Sequence, residues 1–182
     1  MIGKHVLVWG MARSGVAAAK LLNDAGAYVR INDLKTAEAL GDSMAPLKAE
    51  GIEWRLGEPV ENCLDGMDMM VISPGIPAEQ PAVALARSKG IEVIGEVELA
   101  YRLGRGHVVA VTGTNGKTTT TSLTDYLLKA AGEASVAVGN IGEPPVNEID
   151  GRAHNEWFVA ELSSYQIATT TELHPRVAVL LN

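Results

Sequence analysis

Val109-Ala110-Val111-Thr112-Gly113-Thr114-Asn115-Gly116-Lys117-Thr118-Thr119 is the stretch whose reading decides the fold. His107 to Val111 is a short run rich in β-branched residues and predicts a strand. From Thr118 onward Leu123, Tyr126, Leu127, Leu128 and Ala131 recur at helical spacing, and Gly132 ends the pattern. Between strand and helix, Gly113 and Gly116 let the backbone curl so that its N–H groups point at an anion. The helix start adds unpaired N–H groups and the positive end of its dipole. A strand, a glycine-rich turn and a helix in this order build a site for nucleotide phosphates. In that reading Lys117 reaches the β- and γ-phosphates, and the Thr118 hydroxyl coordinates Mg²⁺. The usual pattern places its first glycine five positions before the Gly-Lys pair, and here that position is Val111. The competing reading is an ordinary strand-to-helix turn with an exposed lysine.

Upstream, strand and helix patterns alternate. His5 to Trp9 predicts a strand, Gly15 to Ala25 a helix closed by Gly26, and Tyr28 to Asn32 a second strand. A helical stretch from Thr36 to Glu50 closes at Gly51, and Trp54 to Leu56 is a weak third strand. Met69 to Ile72 is a stronger fourth, Glu79 to Lys89 a helix closed by Gly90, and Ile91 to Ile94 a fifth strand. Repeated strand-helix-strand units imply a parallel sheet covered on both faces, a Rossmann-like α/β domain. Its first turn, Gly10-Met11-Ala12-Arg13-Ser14-Gly15, has alanine where a dinucleotide fingerprint has its second glycine. That glycine normally lets a pyrophosphate come close, so Ala12 favours a nucleotide diphosphate bound differently from a nicotinamide dinucleotide. Asp33 ends the second strand where a ribose-binding carboxylate would sit. Ser73-Pro74-Gly75-Ile76-Pro77 follows the fourth strand as a rigid loop at the crevice where such sheets bind ligands. Taken alone, that loop reads as a turn that redirects the chain.

Glu96 to Leu103 predicts a helix, and Gly104-Arg105-Gly106 breaks it just before the phosphate-loop strand. The expected division is therefore a first domain over 1–103 and a second over 104–182. The second continues through a strand at Ser135 to Val138, the loop Gly139-Asn140-Ile141-Gly142-Glu143-Pro144-Pro145, and a strand from Trp157 to Leu162. Glu161 lies near the end of that strand, where a carboxylate would help hold Mg²⁺ beside a phosphate loop.

The 182 residues are 47% apolar, ample for packed cores, and contain no run of about 20 apolar residues. Met1-Ile2-Gly3-Lys4 leads into a strand without a signal-peptide pattern, so a cytoplasmic location is expected, with no membrane partner. The single cysteine, Cys63, excludes an internal disulfide and reads as a small buried residue. A net charge of −7 without long runs argues against a nucleic-acid partner. Arg13, Lys35 and Lys117 supply local positive charge for phosphates.

With these residues in place, the chain resembles the Mur ligases, the ATP-dependent amide ligases of peptidoglycan precursor synthesis. The resemblance rests on Gly10 to Gly15, Ser73-Pro74-Gly75-Ile76, Thr112 to Thr119, Gly139-Asn140-Ile141-Gly142, and Glu161-Leu162-Ser163-Ser164-Tyr165-Gln166. Together they span nearly the whole chain in the family's order. The Thr-Asn-Gly-Lys-Thr form with Val111 ahead of it is itself characteristic of the family. Gly-Asn-Ile-Gly and Ser-Ser-Tyr-Gln resemble the D-glutamate-adding type. Folylpolyglutamate synthetases share the loop style but lack a Rossmann-like domain ahead of it. A nicotinamide dehydrogenase would leave Lys117 and Glu161 without a role.

The resemblance implies ATP and Mg²⁺, with UDP-N-acetylmuramoyl-L-alanine and D-glutamate as substrates, joined through an acyl phosphate. Lys117 would stabilise the transferring phosphoryl group, and Thr118 with Glu161 would hold Mg²⁺. Gly113, Thr114, Asn115, Gly116, Lys117, Thr118 and Thr119 would cradle ATP. Arg13, Ser14 and Gly15 would meet the diphosphate and Asp33 the uridine, with Ser73, Pro74 and Gly75 lining the same crevice. Asn140, Ser163 and Gln166 would contact the muramoyl-alanine part. Leu34 stands where family members commonly have Thr or Ser, and it cannot donate that hydrogen bond. In the family, the strand ending at Asn182 leads on to a metal-binding histidine, a carbamylated lysine and a third domain. The expectation is thus an incomplete phosphate-loop (Mur ligase central) α/β domain, inactive by itself, from an enzyme that is a monomer. His5, His107, His154 and His174 do not match the family's metal histidine.

Overall fold

A computed structural model describes residues 1–47, 51–104, 106–149 and 155–182. The chain forms two compact units, Met1–Glu96 and Val97–Asn182. Arg105, inside the expected domain break, and His154 lie outside the described residues.

The first unit carries β1 (His5–Trp9), α1 (Arg13–Asp24), β2 (Tyr28–Asp33), α2 (Ala37–Leu40), β3 (Ile52–Leu56), β4 (Met69–Ile72), α3 (Pro81–Ser88) and β5 (Glu92–Gly95). The strands form a parallel sheet in the order β3-β2-β1-β4-β5. Chain order therefore runs one way from β1 to β3 and the other way through β4 and β5. That reversal makes the carboxyl ends of β1 and β4 the topological switch point, where doubly wound sheets bind ligands. The central strands β1 and β4 are buried and read as near-continuous apolar runs, whereas β3 at the edge alternates Ile52, Trp54 and Leu56 with Glu53 and Arg55 and is only half-buried. Leu7, Met70 and Ile72 pack with Ala82, Val83 and Ala86 of α3. Val6 and Val8 alternate to the opposite face, and α1, which buries Val16, Ala18, Ala19 and Leu22, packs on β1.

The helix expected over Thr36 to Glu50 is broken. Thr36 caps the four-residue α2, Gly41 takes φ +59°, and the chain then winds as a tighter 3₁₀ turn over Gly41–Leu47. Gly41 and Pro46 interrupt the pattern: one ends the helix in a conformation that suits glycine, and the other lacks the N–H an α-helix needs. The remaining part of that expected helix, 48–50, lies outside the described residues.

The second unit carries α4 (Glu96–Leu103), whose first residue closes the first unit, then β6 (His107–Gly113), α5 (Lys117–Ala130), β7 (Ser135–Gly139), α6 (Pro145–Glu148), β8 (Trp157–Glu161), α7 (Ser164–Ile167) and β9 (Val177–Leu181). Its sheet is parallel in the order β7-β8-β6-β9. The strand feeding the glycine-rich loop is thus flanked by β8, which ends in Glu161, and by β9. Two small cores sandwich the sheet. Ala110, Val138, Phe158, Ala160 and Leu162 pack with Val97 of α4 on one face, and Val109, Val111 and Val159 pack with Leu128 of α5 on the other. The helical pattern predicted after Thr118 forms α5, but Leu123, Tyr126 and Leu127 are 54%, 67% and 55% exposed. Thr121 is the residue α5 buries.

Candidate functional site

In the second unit the loop between β6 and α5 is built as the sequence predicts. Gly113 (φ +136°) and Gly116 (φ +81°) adopt backbone that disfavours side chains. A Cβ on Gly113 would lie 2.2 Å from the Leu181 carbonyl oxygen, so the loop must run backbone-on-backbone against β9. The Thr114 N–H donates to the Asn182 carbonyl at 2.7 Å, bracing the loop from the same side. Lys117 begins α5, and its ammonium donates to the carbonyls of Gly113 (2.7 Å) and Thr114 (3.1 Å). It therefore lies over the loop that would curl around an anion. Thr114, Asn115, Thr118 and Thr119 are solvent-exposed there.

Glu161 is the buried hub of this site, only 2% exposed at the carboxyl end of β8. Register places it beside Val111 on one side and Gly139 on the other. Its Oε2 accepts from the Thr118 hydroxyl at 2.9 Å, and its Oε1 accepts from Asn140 Nδ2 at 3.1 Å. A Cβ on Gly139 would come 2.3 Å from the Glu161 carbonyl, so glycine there lets the Asn140 turn fold over the carboxylate. Three segments far apart in sequence thus meet on one carboxylate. Among the described residues no group of three or more His, Cys, Asp or Glu is placed to hold a metal. A carboxylate beside a hydroxyl is nonetheless the donor set that suits Mg²⁺, which takes one or two protein oxygens and fills its octahedron with phosphates and water.

The cleft beside the loop is lined by Thr112, Gly113, Thr114, Lys117, Asn140, Ser163, Ser164, Tyr165, Ile167, Ala168 and Leu180. Ser163 and Gln166 do more for each other than for the open cleft. The Ser163 hydroxyl accepts from Gln166 N–H at 3.2 Å, while Gln166 Oε1 accepts from the Ser163 N–H (2.9 Å) and hydroxyl (3.0 Å). This capping box starts α7 and buries Gln166. Ser163 lines the cleft; Gln166 is not among its lining residues.

In the first unit the residues singled out by sequence converge at the switch point. Gly10 (φ +94°) turns the chain out of β1, and the Ser73 hydroxyl after β4 donates to its carbonyl at 2.7 Å. Gly15 is forced: a Cβ there would sit 1.8 Å from the Gly10 carbonyl oxygen. Asp33 at the end of β2 holds the turn from below, Oδ2 accepting from Met11 N–H at 2.8 Å and Oδ1 from Lys35 N–H at 2.9 Å. Arg13, Pro74 and Gly75 are exposed around it and Ser14 is half-buried, while Leu34 is 71% exposed. Cys63 is fully buried, and burial pushes its thiol up, away from the reactive thiolate form.

Sequence reasoning missed two features. The Asn140–Glu161 bond joins residues on separate loops and leaves no spacing signal. Glu98, a buried acid on α4, pairs with Arg102 four residues on, a spacing that in sequence reads as an ordinary solvated helix pair.

Comparison with known proteins adds an independent finding. The family model described as Mur ligase MurD-like, N-terminal domain, matches residues 4–95, and the Mur ligase middle domain matches 111–182. The UDP-N-acetylmuramoylalanine--D-glutamate ligase of Alkaliphilus metalliredigens (strain QYMF) is 43% identical over 181 residues, 98% of this chain and 40% of that protein. The ligase of the same name from Koribacter versatilis (strain Ellin345) is 42% identical over 99% of this chain and 40% of its own length. The fold is similar to that of the UDP-N-acetylmuramate:L-alanyl-gamma-D-glutamyl-meso-diaminopimelate ligase from Neisseria meningitides. That likeness has a TM-score of 0.56 at 23% identity, over 98% of this chain and 60% of that one. The chain spans about 40% of the length of the curated relatives it matches.

Proposed function

The chain belongs to the Mur ligase family, and from that premise we propose that it supplies the UDP-substrate and ATP-loop portions of a ligase joining D-glutamate to UDP-N-acetylmuramoyl-L-alanine. The observation that carries the reading is the convergence of Lys117, Thr118, Asn140 and Glu161 around the β6–α5 loop. The 42–43% identity to ligases of that name supports the choice of substrate class.

In the proposed reaction a carboxylate oxygen of UDP-N-acetylmuramoyl-L-alanine attacks the γ-phosphorus of ATP. The bond from that phosphorus to the bridging oxygen breaks, releasing ADP and leaving an acyl phosphate. The D-glutamate nitrogen then attacks the acyl carbon, phosphate leaves, and the nitrogen loses a proton as the amide forms. The protein's work in such a transfer is positioning and charge neutralisation. The N–H groups of the Gly113–Lys117 turn cradle the phosphates, and the Lys117 ammonium moves from its carbonyl partners to the γ-phosphate. The Thr118 hydroxyl and the Glu161 carboxylate would hold Mg²⁺, which when bound would supply positive charge against the phosphate oxygens. Asn140 holds the second oxygen of Glu161 in place or turns to the acyl substrate. In the first unit, the Gly10–Gly15 turn with Arg13 and Ser14 receives the diphosphate, and Asp33 with Ser73 to Gly75 frames the uridine end.

Calorimetric titration of the chain with MgATP and with UDP-N-acetylmuramoyl-L-alanine tests both halves. Lys117→Ala is expected to weaken MgATP binding by about tenfold or more and leave the UDP-substrate isotherm unchanged. The substrate is tested by ADP release from the ligase offered D-glutamate, L-lysine or diaminopimelate with UDP-N-acetylmuramoyl-L-alanine. Release with D-glutamate is expected, and release only with another amino acid would sink the assignment.

A further inference from the structure

The second unit buries one carboxylate that this chemistry does not use. Glu98, in the first turn of α4, is fully buried. Its Oε1 accepts from Arg102 Nε and from Glu172 N–H, each at 2.9 Å. Its Oε2 accepts from the N–H groups of Thr171 (3.1 Å) and Leu173 (3.2 Å). Arg102 completes the clamp by donating to the Thr171 hydroxyl at 2.9 Å and lying 3.4 Å from the Glu172 carboxylate. Three consecutive backbone amides thus converge on one buried anion. Charge-assisted bonds of this kind are about twice as strong as neutral ones, and a carboxylate without them would not stay charged in such a place.

What the clamp holds gives it a role. Thr171 to Leu173 lie between α7 and β9, and both neighbours reach the phosphate cleft. On one side, buried Thr169, two residues before the clamped segment, donates its hydroxyl to the Gln166 carbonyl at 2.9 Å. Ser164, Tyr165 and Ile167 of α7 line the cleft. On the other side β9 runs to the Asn182 carbonyl that braces Thr114. We propose that Glu98 is a positioning residue for the phosphate cleft: by fixing 171–173 it sets both the α7 wall and the β9 brace under the loop. Its backbone partners in 171–173 lie 73 to 75 residues away in sequence, so the tie is a tertiary one.

Hydrogen exchange read by mass spectrometry on the wild-type chain, Glu98→Gln and Glu98→Asp tests this. Glutamine keeps the size but turns one acceptor into an NH₂ facing N–H donors, whereas aspartate keeps the charge on a shorter stem. In Glu98→Gln, exchange is expected to rise by about tenfold over 164–173 and over the loop 113–117, with residues 5–33 at wild-type rates and Glu98→Asp intermediate. A MgATP titration, which rests on the proposed function, is expected to show about fivefold weaker binding in Glu98→Gln and partial recovery in Glu98→Asp. Acceleration confined to 171–173, or unchanged MgATP affinity in Glu98→Gln when the wild type binds, would overturn the proposal and leave a local structural tie. If Glu98→Gln loses the fold of the second unit, Glu98→Asp decides by the same criteria. Should the wild-type chain bind no MgATP, the ATP reading fails on its own and the exchange comparison decides the role of Glu98.

Discussion

At the scale of single residues, Gly15 shows how hard a backbone contact can bear on one position. Its missing Cβ would sit 1.8 Å from the Gly10 carbonyl oxygen, and that atom belongs to the backbone of a turn fixed by Ser73 and Asp33. Neither can yield cheaply. Gly15→Ala is expected to destabilise the first unit by about 3 kcal/mol in urea unfolding. Gly75, with open space where its Cβ would be, is the control: Gly75→Ala should stay within about 0.5 kcal/mol. The Gly10–Gly15 turn, Lys117 and Thr118 were legible in the sequence because each belongs to a short motif whose spacing is set by local geometry. The capping pair Ser163 and Gln166 was visible as a motif, but not as two side chains engaged with each other. Asn140 and Glu161 were legible one by one, and their bond was not, because only the register of β7 against β8 brings them together.

At the scale of elements, the strands were the most readable part. Each doubly covered parallel strand is a dense apolar run, and the observed spans differ from the predicted ones mostly at their ends. Helices were less secure. The stretch after Thr36 kept its helical periodicity across Gly41 and Pro46, and the backbone rules at those two positions prevailed over it. In α5 the pattern found the helix but only part of its buried side: Leu128 packs on the sheet and Thr121 is fully buried, while Leu123 and Leu127 face outward. The clamp between α4 and the segment before β9 makes a pH prediction. Burial pushes the Glu98 carboxyl up, but the hydrogen bonds from Arg102, Glu172 and Thr171 outweigh it and hold the group below its ordinary value. Its contribution to stability is therefore complete above the unfolded value of about 4.3 and is lost as pH falls through the lower folded value. Urea midpoints of the second unit, followed from pH 7 to 3, should fall in the acid range. In Glu98→Gln they should start lower and lose less on acidification. Equal acid losses in the two proteins would remove Glu98 as the cause.

At the scale of the molecule, each unit has its own sheet and its own cores. A fragment of residues 1–96 is expected to give a dispersed amide NMR spectrum and a cooperative urea transition. A collapsed spectrum would show that the first unit needs more of the chain. The order of strands in the second sheet also bears on how the protein is made. Strand β6 is the first of the strands described in its sheet to leave the ribosome, yet it is flanked by β8 and β9, which both follow β7 in the chain, and Thr114 finds its acceptor only at Asn182. During synthesis the loop after β6 therefore waits, without its brace, for the chain from Thr114 to Asn182 to follow. A nascent chain halted at Arg176 would already hold every residue proposed to bind phosphate and would still lack the strand that gives them their shape.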